Sequence, residues 1–217
     1  MTEYTGTVST GGEAATRTLQ DLTISKFAVS SMNNNCYLLR CRQTAQQVLI
    51  DAADDPDRIL REAGGEGLAT VVTTHRHWDH IRALSQVIEV TGARSLAHED
   101  DAEEIPVVTA TLTDGDTISV GECELTAIHL AGHTPGSVAL HYADPHGHSH
   151  LFTGDSLFPG GVGRTTNPED FQSLFHDVTT KLFDRFDDDT WVYPGHGNDT
   201  TLGEERGQLS EWQARGW

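Results

Sequence analysis

The heptad Thr74-His75-Arg76-His77-Trp78-Asp79-His80 constrains this chain more than any other stretch. It places three histidines and an aspartate directly after an apolar run, residues 68–73. Along an extended backbone, residues two apart point the same way, so His75 and His77 can reach one ion together. Asp79 and His80 fall where the chain turns toward a helical stripe of Ile81, Leu84, Val87 and Ile88, and can face a second ion beside the first. Imidazole and carboxylate donors suit Zn²⁺, and Fe or Mn as well. The fold must therefore offer a strand-to-helix loop at the edge of a buried sheet.

Three further metal-type residues stand in comparable places. His133 lies in Gly132-His133-Thr134-Pro135-Gly136, after the apolar run 123–130. Asp155 lies in Phe152-Thr153-Gly154-Asp155-Ser156, and His196 in Tyr193-Pro194-Gly195-His196-Gly197, each again behind an apolar strand. A glycine next to each allows close backbone approach and unusual φ. Individually these are weak signals; their shared placement makes them support one another.

The surrounding grammar is of strands feeding helices. Leu22–Val29, 36–39 and 48–51 read as short strands of a meander. Asp55-Pro56 gives an N-cap followed by proline, and Gly64 closes the helix through Ile59 and Leu60. The second half repeats this: a hairpin about Gly121-Glu122, a second strand pair about Asp144-Pro145-His146-Gly147, and a helix capped by Asn167-Pro168 running through Leu182. A last strand at 191–193 and a helical tail follow. Strands before helices, twice over, predict two packed sheets with helices outside. The expected organisation is a flexible tail over 1–19 and a single domain over 20–217, with no shift in composition to mark a second.

The charge balance, 14 basic against 33 acidic residues for a net −19, repels phosphate backbones and argues against nucleic acid as a partner. No stretch of about 18 apolar residues exists to cross a membrane. The polar, Thr-, Gly- and Ser-rich start has no apolar segment of the signal-peptide kind, which makes the cytoplasm the expected location. The cysteines Cys36, Cys41 and Cys123 include no CxxC pair and read as free thiols, the first two as ordinary buried ones. His141, His146, His148 and His150 read as a solvated hairpin tip, Asn33 to Asn35 as a turn, Trp78 as a wall residue and Trp191 as core.

Taken in order, THxHxDH, GHTPG, FTGDxLF and YPGH resemble the metallo-β-lactamase superfamily, specifically its glyoxalase II-like branch, over roughly residues 20–200. The resemblance implies a four-layer αββα sandwich with metals at one edge of the sheets. It assigns His75, His77 and His133 to one metal, Asp79, His80 and His196 to another, and Asp155 to a bridge between them. Two zinc ions are expected, with iron or manganese as substitutes. The implied chemistry is hydrolysis of a small acyl-thiol thioester by a metal-bridging hydroxide, with Asp79 and Asp155 as catalytic residues. Gly160-Gly161-Val162-Gly163-Arg164 resembles the branch's GCGR segment, with Val162 at the usual cysteine, and makes Arg164 a candidate contact for a substrate carboxylate. The chain ends soon after His196, so the branch's C-terminal glutathione-binding domain is not expected and another small thiol is equally allowed. The alternatives are a persulfide dioxygenase with one iron on His75, His133 and Asp155, and a lactone or phosphodiester hydrolase. A monomer or homodimer is expected.

Overall fold

In a computed structural model, described over residues 4–65 and 67–216, the first half builds one seven-stranded sheet. Strands β1 (Ala15–Thr18), β2 (Leu22–Val29), β3 (Asn34–Cys41) and β4 (Gln47–Ile50) run antiparallel. Helices α1 (Pro56–Ala63) and α2 (Leu84–Thr91) then carry the chain back, so that β5 (Leu68–Val72), β6 (Arg94–His98) and β7 (Ala110–Leu112) add in parallel. The caps are those the sequence predicts: the Asp55 side chain accepts from Arg58 N, Pro56 opens α1 and Gly64 closes it. Helix α2 begins at Leu84, later than the stripe from Ile81 implies, because Trp78–His80 forms a separate 3₁₀ turn.

The second sheet contains β8 (Thr117–Val120), β9 (Cys123–His129), β10 (Val138–Ala143), β11 (Ser149–Gly154), β14 (Trp191–Pro194) and β15 (Thr200–Thr201), in the order β15-β14-β11-β10-β9-β8. A small hairpin of β12 (Leu157–Phe158) and β13 (Gly161–Val162) follows β11. Helix α3 (Pro168–Asp177) continues into a wider turn, Val178–Phe183, where Asp184 N bonds Thr179 O, and α4 (Leu202–Arg206) and α5 (Leu209–Arg215) end the chain's described part.

Side-chain alternation explains the layering. Leu22, Ile24, Tyr37, Leu39, Val48 and Ile50 point between the sheets, where they meet Leu125, Leu140, Phe152 and Tyr193. Their neighbours Phe27, Cys36, Leu38, Leu49 and Val71 point to the other face and pack on α1 and α2. Leu130, Leu151 and Val192 of the second sheet pack likewise on Phe171, Leu174, Leu182 and Trp212. Strands buried on both faces read as continuous apolar runs. The result is the four-layer αββα sandwich. Among the described residues no helix is long and apolar enough to cross a membrane.

Two expectations are corrected. The segment expected as a flexible tail is tied down in its described part: β1 pairs with β2, and the Tyr4 hydroxyl donates to Asp199 Oδ2 at 2.8 Å. The Arg17 guanidinium lies 3.8 Å from the Trp191 ring. The cause is the open edge of β2, which β1 covers, and an aromatic surface that a cation can face. His150 is not at a solvated tip either. It is fully buried on β11, with Nδ1 2.9 Å from the Tyr193 hydroxyl, and burial pushes its pKa down to about 3. Only His146 of that run is exposed, 3.1 Å from Asp21.

Candidate metal centre

Strand direction gathers the site. Strands β4 and β5 are parallel, and β9, β11 and β14 share one direction in the second sheet. Their C-terminal ends deliver Asp51, residues 74–80, His133, Asp155 and His196 to one edge of the sandwich, and antiparallel β3 brings Asn34 there by its start. All seven residues singled out as ligands converge. Their donor atoms form three overlapping groups, each within 4.8 Å: His75, His77 and His133; His75, His80 and Asp155; and Asp79, His80 and His196.

Each of four imidazoles has its Nδ1 engaged, which leaves Nε2 for the centre. His80 Nδ1 donates to Asp51 Oδ2 at 2.9 Å, and His133 Nδ1 to the Arg164 carbonyl at 2.7 Å. His196 Nδ1 donates to the Met32 carbonyl at 3.2 Å. The Thr74 hydroxyl gives its proton to Asp51 and accepts from His75 Nδ1 at 3.0 Å. Burial holds His75 well below its ordinary pKa, and lowers His77 and His133 too, so these rings are neutral and carry usable lone pairs. Burial also lowers His80, but the carboxylates of Asp155 and Asp51 outweigh it and raise this ring to about 10. Burial pushes Asp155 up, yet the charge of the His80 ring holds it below the usual carboxylate range. The cluster draws positive charge to its middle.

The donor set fits divalent cations. His75 Nε2, His133 Nε2 and Asp155 Oδ1 are buried with no hydrogen-bond partner, a costly arrangement for polar atoms unless they ligate. His80 Nε2 and His196 Nε2 face each other at 3.2 Å, and Asp79 Oδ2 is 3.4 Å from His196 and 3.7 Å from His80. Tetrahedral donors about 2.05 Å from a zinc ion stand about 3.3 Å apart, so this spacing is that of ligands to one ion. Asp155 lies between the groups, with Oδ1 3.5 Å from His80 and Oδ2 3.5 Å from His196 and 3.7 Å from His133.

Three residues that sequence reasoning passed over hold the candidate ligands in place. Asp51 fixes His80 and accepts from Thr74 N at 2.7 Å. Asn34, expected in a turn, is buried at the start of β3 and donates from Nδ2 to Asp79 Oδ2 at 2.9 Å. Asp101 accepts from the Thr134 hydroxyl (2.6 Å), Gly136 N (2.9 Å) and Arg76 N (3.0 Å), which joins the His133 loop to the His75 loop. Gly163 is required by packing: a Cβ there would run into the Asp155 carbonyl and come within 3.2 Å of His133 Nδ1.

Arg164 is exposed at the mouth, where it lines a cleft of about 380 Å³ with His77, His133, Thr165 and Thr166. Trp78 is 55% exposed and carries the Arg82 guanidinium 3.9 Å from its ring, so it stands at the rim rather than forming a wall. Its aromatic surface turns outward because the flanking His77 and Asp79 turn toward the ligand groups.

The family model for the metallo-beta-lactamase superfamily matches residues 31–196. The chain is 35% identical to the hydroxyacylglutathione hydrolase of Polaromonas sp. over 172 residues, 77% of this chain and 63% of that protein. It is 33% identical to that of Rhodospirillum rubrum over 67% of this chain and 56% of that protein. It thus spans roughly half to two thirds of these relatives. The hydroxyacylglutathione hydrolase GloC of Haemophilus influenzae is 29% identical over 85% of this chain and 95% of its own length. Among solved structures, ETHE1 from Myxococcus xanthus superposes with a TM-score of 0.76 at 28% identity, covering 88% of this chain and 84% of that one. TTHA1623 in a di-iron-bound form gives 0.68 at 29%, covering 82% and 95%. With the αββα layers and the ligand edge on the page, the chain belongs to the metallo-β-lactamase superfamily, in its glyoxalase II-like branch.

Proposed function

We propose that this protein is a metal-dependent hydrolase of small acyl-thiol thioesters, and that His75, His77 and His133 hold one metal ion, Asp79, His80 and His196 a second, and Asp155 both. The observation that carries the reading is the set of buried, unpartnered donor atoms on His75, His133 and Asp155, which face the close-set Asp79, His80 and His196. Similarity to hydroxyacylglutathione hydrolases supports the substrate class. Two divalent ions would lower the pKa of water toward neutrality and polarise a carbonyl.

The chain's own residues do the rest. Arg164 attracts a substrate carboxylate at the mouth, and His77 and His133 line the path inward. Asn34 holds Asp79 Oδ2, which leaves Oδ1 to take a proton as the tetrahedral species collapses. Water adds to the thioester carbonyl, the C–S bond breaks, and a carboxylic acid and a thiol result. Thiols have a pKa of about 8.5, so the thiolate leaves with little help from a general acid.

A second reading has a specific observation behind it: the likeness to ETHE1 favours a one-iron centre for persulfide oxidation. The test compares protein loaded with zinc, manganese or iron against chelator-treated protein. Thiol release from an S-2-hydroxyacyl thioester and oxygen uptake with a persulfide are followed in parallel. Metal-dependent thiol release without oxygen uptake is the expected result. Oxygen uptake by the iron form alone would replace the hydrolase with the dioxygenase, and full turnover by metal-free protein would sink both.

A further inference from the structure

Far along the first sheet from the metal edge, Cys41 ends β3 and Cys123 begins β9, so the two thiols belong to different sheets. The turn between β8 and β9 presses on the end of β3: a Cβ on Gly121 would lie 2.8 Å from Cys41 Sγ. Cys41 and Cys123 are neighbours: Cys123 Sγ lies 3.6 Å from the Asp21 carbonyl, which accepts at 2.8 Å from the N–H of Arg42, next to Cys41, and both belong to the core between the sheets. Both line a surface cleft of about 420 Å³ with Asp21, Glu122, Glu124 and Tyr142. Cys123 is 9% exposed and Cys41 is covered. Cys36, by contrast, sits among Phe27, Leu49 and the α1–α2 layer, where burial pushes its thiol up to about 12. Cys36 and Cys41 are both the buried thiols that the sequence leads one to expect, and Cys41 differs in lying against the cleft.

We propose that Cys41 and Cys123 are a redox pair that hydrogen peroxide closes into a disulfide joining the two sheets. Burial raises Cys41, but hydrogen bonds from the Thr44 hydroxyl and the backbone of Glu122, Thr44 and Gln43 outweigh it and hold the thiol down to about 7. Burial pushes Cys123 up, so one partner is the ready thiolate and the other the resolving thiol. The Cys41 thiolate attacks the peroxide O–O bond, an S–O bond forms and water leaves after one protonation. Cys123, losing its proton, attacks the sulfenic sulfur, the S–S bond forms and a second water leaves. Two thiols and one peroxide become one disulfide and two waters. The acidic lining of Asp21, Glu122 and Glu124 disfavours anionic oxidants such as glutathione disulfide and admits a small neutral one.

The experiment treats the full chain with a few-fold excess of hydrogen peroxide, then denatures and alkylates it. Free thiols should fall from three to one, with a mass loss of two hydrogens. Peptide mapping should join Cys41 to Cys123 and leave Cys36 alkylated, and dithiothreitol should restore all three. In Cys123→Ser, Cys41 should instead stop at a dimedone-trappable sulfenic acid. The mapping on unmodified sequence needs no variant to fold. Three thiols that still titrate, a link through Cys36, or separate over-oxidation of Cys41 and Cys123 without a link would each overturn the proposal.

Discussion

Asp51→Asn is the most informative single substitution outside the ligand set. Asp51 sits at φ 59°, in the left-handed region that Asn tolerates, so the backbone can stay where it is. Its carboxylate accepts three hydrogen bonds: from Thr74 N at 2.7 Å, Thr74 Oγ1 at 2.8 Å and His80 Nδ1 at 2.9 Å. The amide oxygen of Asn can serve Thr74 N, but the amide NH₂ then faces His80 Nδ1–H, donor against donor. A metal ion needs His80 neutral with a bare Nε2, and the amide instead favours the single remaining ring proton on Nε2, the atom that looks at His196 and Asp79. Losing a charge-assisted hydrogen bond in this way costs about 1.5–3 kcal/mol, which is about 10- to 100-fold in metal affinity. Competition with a chromogenic chelator reads it directly. The ion assigned to Asp79, His80 and His196 should weaken by that factor, and the one on His75, His77 and His133 by much less. Circular dichroism should show an unchanged fold. Unaltered affinity at both positions, or equal weakening of both, would refute the tautomer argument.

Further outcomes follow from the same geometry. Gly163→Ala forces a methyl against the Asp155 carbonyl, and should cost about 1–3 kcal/mol in urea denaturation while loosening the metal. Lys26→Met breaks the buried pair with Asp199 (2.6 Å) and leaves that carboxylate uncompensated; a loss of about 3–5 kcal/mol is expected in the same assay. His150 is neutral when folded, with its pKa down at about 3, while the unfolded chain takes up a proton below about 6.5. Stability should therefore fall as the pH drops from about 6.5 toward 3, by up to about 2 kcal/mol at pH 5 from this group, and His150→Phe should flatten that slope. Arg164→Gln should raise KM about tenfold for carboxylate-bearing thioesters, with kcat nearly unchanged, in steady-state kinetics.

The convergence of the candidate ligand loops was legible because their spacing carries it: His75 and His77 alternate on an extended backbone, and His133, Asp155 and His196 each follow an apolar strand. The supporting residues carry no such spacing. Asp101 reaches Thr134 and Gly136 only through the tertiary fold, and Asn34 hides in a run of three asparagines that also suits a turn. Asp51 did leave a trace, since it ends an apolar strand as Asp155 does. Layering and helix caps were readable from periodicity and from Asp55-Pro56 and Asn167-Pro168. The edge strand β1 was not, because half its residues are exposed and its pairing depends on β2. His150 was misplaced because a strand that continues toward a turn looks, in sequence, like the turn's own polar tip.

The proposed function requires two metal ions that share Asp155. The most direct measurement is the metal-to-chain ratio of the protein, reconstituted with zinc, desalted and analysed by inductively coupled plasma mass spectrometry beside Asp155→Ala. About two ions per chain, falling below one in the variant, is the predicted result. A ratio near zero for the unmodified chain, or one that Asp155→Ala leaves unchanged, would contradict it.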